Sequence, residues 1–176
     1  TRETRVRGGH PWIYASEIEL VEGEFQNGDI VDVKNFRGGL IGRAFYNPTS
    51  QISIRMLTTR DEKCDRAFFK SRVEDAWNYR KALCDPMSCR LIYSESDFLP
   101  GLIVDKFGDY LVMQVLSLGI ERIRDMLVEL LVEVVGPKGI YERSDVPVRR
   151  LEGMEQRAGL LWGEVPDEID MRENGI

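Results

Sequence analysis

The chain has 176 residues and a formal net charge of -6, so it can hold one domain or two small ones but is short for a recognition module joined to a catalytic domain of ~150 residues. Hydrophobic content of 43% and charged content of 31% are ordinary for a soluble globular protein, and no apolar run approaches the ~20 residues of a bilayer span. The acidic balance argues against a uniformly basic, nucleic-acid-covering surface.

The charge is unevenly spread. Through residue 60, eight Lys plus Arg face seven Asp plus Glu, and the remainder carries 16 against 23, so only the first part has a plausible phosphate-facing balance. Cys64, Cys84 and Cys89 are odd in number, lack close pair spacing and have one histidine, His10, for company; they read as free thiols of a reducing cytoplasm rather than a zinc set or a nucleophile. The start at Thr1, without Met or an apolar leader, reads as a trimmed piece of a longer chain.

In chain order, Arg2, Arg5 and Arg7 form a basic opening, readable as a solvated terminus or as a phosphate contact. Gly8-Gly9-His10-Pro11-Trp12 follows, and Pro11 predicts a short helix through Ser16 and Ile18. Alternating residues 29–33, 40–46 and 52–56 predict three strands, with the turn Asn35-Phe36-Arg37-Gly38-Gly39 between the first two. Short strands and tight turns suggest a small barrel. Gly38, Gly39 and Gly42 are not a dinucleotide fingerprint, because no helical pattern follows them.

Residues 61–83 switch to helical period, with Phe69, Val73, Ala76, Trp77 and Leu83 on one side. Asp85-Pro86 stops this helix, since the residue before proline is pushed from helical geometry. Strand signals follow at 90–93, 102–104 and 110–116, then a helix whose stripe is Ile120, Ile123, Leu127, Leu130, Leu131 and Val134, capped by Ser117 and ended by Gly136-Pro137. Residues 140–142 and 160–162 are further strands. The layout is α+β in two domains, 1–72 and 73–176: a small barrel, then a layer of strand-strand-helix-strand-strand order with the helix over one sheet face.

Three constellations could carry chemistry. Glu95, Asp97 and Asp105, around the loop containing Pro100 and Gly101, could hold a metal or move protons, or could bond amides and pair with Arg143, Arg149 or Arg150. Glu142, Arg143 and Asp145 with Arg149 and Arg150 read equally as a surface ion network or a phosphate-facing edge. His10, Trp12, Tyr46 and Asn47 beside Arg43 and Arg55 would suit stacking on unpaired bases with phosphate contact, although an aromatic just after proline is also a common core plug.

Gly9-His10-Pro11-Trp12-Ile13-Tyr14, Gly42-Arg43-Ala44-Phe45-Tyr46-Asn47-Pro48, the run from Glu95 to Asp105, and Glu142-Arg143-Ser144-Asp145 followed by residues 149–154 together resemble one family. It is the S-adenosylmethionine-dependent 23S ribosomal RNA cytosine-5 methyltransferases. The resemblance implies a PUA domain, a small RNA-binding barrel, then a central domain. Family members continue past the stretch matching Asn174-Gly175-Ile176 into a Rossmann-like domain holding the methyl donor and the cysteine nucleophile.

What the resemblance therefore implies for this chain is no catalytic, cofactor or metal residue of its own, with S-adenosylmethionine belonging to the full-length parent. Its RNA-binding positions would be Arg5, Arg7, His10, Trp12, Arg43, Tyr46, Asn47 and Arg55; its central-domain motif would be Glu95, Asp97, Pro100, Gly101, Asp105, Glu142, Arg143, Asp145, Arg149 and Arg150. Expected partners are ribosomal RNA, the catalytic domain of the same chain and a second copy, in the cytoplasm and away from membranes. Two other readings are a free-standing RNA-binding or ribosome-associated adaptor and a carboxylate-based, metal-dependent hydrolase.

Overall fold

The computed structural model describes residues 2–169. Asn174, Gly175 and Ile176, where the resemblance expects the link onward, lie outside them, as does the side chain of Arg2. The basic opening is helix α1, Arg2–Arg7, whose Val6 is buried in the first core. The helix expected from Pro11 is instead a strand, β1, Trp12–Ile13, followed by a single 3-10 turn over Ala15–Glu17. Pairing wins here: Trp12 and Ile13 sit opposite Arg55 and Ile54, and a β-branched residue is well placed on such a ladder.

Strands β2, Ile30–Lys34, β3, Leu40–Tyr46, and β4, Ile54–Thr58, complete an antiparallel sheet in the order β1-β4-β3-β2. Its two central strands are buried on both faces. Ala44, Tyr46, Ile54 and Met56 point into the first core with Val6, Ile13, Val33 and Ile41. Phe45 and Leu57, on the opposite face by the two-residue period of a strand, enter the core of the second unit. The first sheet is thus held between its own core and its neighbour's.

Helix α2, Arg66–Leu83, starts later than the change of period expected at residue 61, because Asp65 accepts the Phe68 amide at 3.2 Å and fixes the N-terminus there. It runs unbroken through residues 72 and 73, and its buried Phe68, Phe69, Val73 and Ala76 all join the second core. The boundary expected at 72 falls inside one packed helix.

The second sheet contains β5, Ser88–Tyr93, β6, Leu102–Phe107, β7, Tyr110–Val115, β8, Gly139–Ser144, and β9, Arg157–Gly163, in sequence order across the sheet. Three strands therefore precede the helical crossover, one more than the expected shorthand. β7 and β8 pair in parallel and the other neighbours antiparallel, as a helical connection between two strands permits. The crossover is split at Ile123 into α3, Leu118–Arg122, and α4, Arg124–Val135, and Gly136 ends it in a left-handed conformation at φ 67°. Ser117 stands at the N-cap position, but its hydroxyl donates to the Pro100 carbonyl at 2.9 Å instead of capping. A short α5, Val148–Leu151, lies between β8 and β9.

Leu91, Ile92, Leu102, Val104, Leu111, Met113, Leu127, Leu130, Leu131 and Ile140 are wholly buried between the sheet and its helices. Among the described residues no helix is long and apolar enough to cross a membrane.

Candidate functional site

A dense polar cluster lies at the seam between the two units. Glu152, just after α5, is 2% exposed. Its carboxylate accepts from the Ser50 hydroxyl at 2.6 Å, from Arg55 Nη2 at 2.8 Å and from Asn47 Nδ2 at 3.2 Å, while Asn47 also donates to the Glu152 carbonyl at 3.0 Å. Arg55 reaches Glu95 Oε1 at 3.4 Å with its other terminal nitrogen, and the Trp12 indole N–H donates to the same oxygen at 2.8 Å. Four residues of the first unit, Trp12, Asn47, Ser50 and Arg55, thereby grip two carboxylates of the second.

Burial is the largest influence on Glu152 and pushes its pKa up, yet the hydrogen bond from Ser50, the Arg55 charge and the bonds from Arg55 and Asn47 outweigh it and hold the carboxyl below its ordinary range. Beneath this seam lies an apolar one. Phe45 stacks with Phe69 at 6.3 Å between centroids, and its ring lies against Gly119 of α3.

The seam takes up the donors of Trp12, Asn47 and Arg55, three of the expected RNA-binding positions. Their donors point at carboxylates of the same chain, and the Arg55 side chain keeps 13% of its surface in water. The rest of the expected RNA set is tied inward too. Arg5 pairs with Glu17 at 2.6 Å; Arg7 pairs with Glu3 at 2.9 Å and reaches the Leu40 carbonyl. Arg43 bonds Asp32 and Asp61, each at 3.0 Å, and donates to the Glu62 carbonyl, with Asp32 chiefly raising its pKa. Tyr46 is buried with its ring edge-on to Phe25, and His10 contacts the backbone of Trp12.

The acidic loop is also accounted for by arginines, though not those expected. Arg80 of α2 forks onto Asp97 at 2.7 and 2.9 Å, and Asp97 also accepts the Tyr93 amide at 2.6 Å. Arg90 forks onto Asp105 at 2.9 and 3.2 Å. Arg149, 2% exposed, donates to the Val115 and Glu155 carbonyls and pairs with Glu121 at 3.1 Å. Arg143 pairs with its neighbour Asp145 at 3.1 Å on the surface, where Arg150 is exposed as well.

Glu142 is 1% exposed, with Arg124 and Arg157 at 3.7 and 3.5 Å from Oε2. Gly101 adopts φ 93° behind Pro100, and a Cβ there would lie 2.2 Å from the Ser117 hydroxyl oxygen, so the loop admits only glycine. Glu95, Asp97 and Asp105 thus face three different arginines and do not converge; among the described residues no group of three His, Cys, Asp or Glu side chains could hold a metal.

Burial pushes the Cys64 thiol up to about 11 against the nearby Arg43 charge, and burial raises Cys89 as well.

Sequence reasoning missed Ser50, Arg80, Glu121 and Gly119, and gave Glu152 no partner in the first unit. Glu152 lay inside the matched run 149–154 without being singled out, and the pairing of Arg55 with a carboxylate 97 residues away has no local signature.

The PUA-like domain model matches residues 1–59. The chain is similar over nearly its whole length to proteins named ribosomal RNA large subunit methyltransferase I. That of Vibrio cholerae is 42% identical over 179 residues, 99% of this chain and 45% of the relative. That of Alteromonas mediterranea is 41% identical over 180 residues, with 100% and 45% covered. The chain therefore spans a little under half the length of these curated relatives. Among solved structures, a proposed SAM-dependent methyltransferase from Streptococcus mutans matches with a TM-score of 0.79 at 19% identity, over 99% of this chain and 44% of that one. A proposed methyltransferase complexed with SAH matches with a TM-score of 0.80 at 19% identity and the same coverage. At that identity the likeness is one of fold.

Proposed function

We propose that this chain is the PUA-like and central part of an S-adenosylmethionine-dependent methyltransferase acting at C5 of a cytosine in 23S ribosomal RNA, in the cytoplasm. Its task is to hold the RNA while a catalytic domain elsewhere in the parent protein binds the methyl donor and supplies the nucleophile. The observation that carries this reading is the 42% identity across 99% of the chain to a ribosomal RNA methyltransferase. The seam supports it physically. An enzyme acting on a base must take it from its stack at a cost of a few kcal/mol, and contacts elsewhere on the RNA offset that cost only if the gripping part is held in fixed register with the reacting part, since small misplacements cost large factors in rate. Glu95 and Glu152 fix that register between the two units present.

The test is transfer of labelled methyl from S-adenosylmethionine to unmodified 23S RNA, run on this chain alone and on the chain extended to the length of its relatives. Transfer by the extended protein only, at a cytosine C5, is the expected result. Transfer at another base overturns the cytosine assignment. RNA binding without transfer by the extended protein points instead to an adaptor without enzymatic activity.

A further inference from the structure

With Trp12, Asn47 and Arg55 engaged in the seam, the exposed aromatic and cationic surface of the first unit lies elsewhere. The turn between β2 and β3 carries Phe36, 80% exposed, the most exposed of the large hydrophobic side chains among the described residues. The Arg37 guanidinium lies 5.1 Å from the centre of its ring, and Arg37 makes no ion pair within hydrogen-bonding reach among the described residues. In the other cation-aromatic pair of this unit, Arg5 beside Tyr14, the arginine is tied to Glu17. Lys34 and Arg7 stand exposed on either side of the turn's root, with Glu3 as the acid between Arg7 and Arg37.

The turn is also rigid. Asn35 Oδ1 accepts from the Arg37 and Gly39 amides at 3.1 and 2.9 Å, the Asn35 amide donates to the Gly39 carbonyl at 2.9 Å, and Gly38 takes φ 80°. Asn35 Nδ2 donates to Glu3 of α1 at 3.2 Å, bracing the turn against the helix. Such a tip holds the backbone that carries the ring and the cation in one conformation, which lowers the ordering cost of binding. A ring in water beside an unclaimed guanidinium suits an unpaired base on the ring and its phosphate on the arginine.

We propose that the β2–β3 tip, Phe36 with Arg37, is a single-stranded RNA contact that stacks one unpaired base and neutralises one phosphate. This rests on the reading of the chain as RNA-binding. The test is a salt-dependent titration of the full chain with a labelled unstructured RNA oligonucleotide and with an RNA duplex of equal length, comparing wild type with Phe36→Ala, Phe36→Trp and Arg37→Ala.

Phe36→Ala should weaken single-strand binding roughly tenfold, within the usual value of one base stack. Phe36→Trp should bind like wild type, and its emission should be quenched by the RNA. Arg37→Ala should reduce the slope of log affinity against log salt by ~0.7, the value for one phosphate on a single strand. Because both side chains lie in water, circular dichroism and melting should not move. If wild type binds RNA and both alanine variants match it in affinity and slope, the tip is not the contact and the wider reading survives. Equal losses on duplex and single strand overturn stacking. A wild type that binds neither RNA overturns both readings.

Discussion

Phe45 and Gly119 meet so closely that a Cβ on the glycine would fall 2.1 Å from the Phe45 ring. One belongs to the first sheet and the other to the crossover helix of the second, so the contact locks the two units by shape. Gly119→Ala should cost about 1–3 kcal/mol, the usual range for overpacking. In urea the midpoint should fall with little change in slope, and both units should unfold together. A midpoint equal to wild type would mean that α3 moves aside at no cost and that the seam is looser than its geometry.

Glu152 should be the polar counterpart of that contact. Removing one partner of a buried charge cluster leaves the others unpaired, so Glu152→Ala, which strands Arg55, Asn47 and Ser50, should cost on the order of 3 kcal/mol. Its pKa in the fold lies below the ordinary 4.5. The ionised form therefore contributes fully above about 4.5, and that contribution is lost as pH falls through the lower folded value. Equilibrium unfolding at pH 7 and pH 3.5 should show wild type losing more stability on acidification than Glu152→Ala. Identical losses would remove Glu152 from the account.

Much of this architecture is written in local pattern. The two-residue alternation of β3 and the helical stripe of α2 are visible in the chain, and they place the strands and helices to within a few residues. What local pattern lacks is the identity of the opposite wall. The alternation shows that Phe45 and Tyr46 face opposite ways, not that Phe45 enters the neighbouring core. Likewise Arg55 reads as a cation beside aromatics, which fits a phosphate as well as it fits Glu152, because the deciding partner is remote in sequence. Pro11 misleads for the same reason: its helix-starting geometry is local, whereas the pairing of Trp12 with Arg55 that overrides it is not.

The two acidic motifs should behave differently under mutation even though both are arginine-aspartate pairs. Arg80 and Asp97 keep only 11% and 10% of their side-chain surface in water, the contact is forked, and Asp97 also holds the Tyr93 amide. Asp97→Ala should therefore cost about 2–3 kcal/mol, as a charge-assisted, largely buried fork and the Tyr93 amide lose their acceptor. Arg143 and Asp145 are open to solvent, and such pairs add little, so Asp145→Ala should leave the melting temperature unchanged. Chemical denaturation of both variants checks the contrast, and equal effects would contradict it.

Thiol reactivity tests whether any cysteine in this chain is primed as a nucleophile. The thiolate is the reacting form. Cys64 is held to about 11, chiefly by burial, so at pH 8 nearly all of it is the unreactive thiol. Burial raises Cys89 in the same direction, whereas Cys84, just past the end of α2, is exposed. Iodoacetamide at pH 8 should therefore modify Cys84 first, with Cys64 and Cys89 following slowly until denaturant equalises the three. Raising the pH toward 10 should speed Cys64 in proportion to its thiolate fraction. Faster labelling of Cys64 than of Cys84 in the folded chain would reveal an activating environment that the burial and charges around it do not provide.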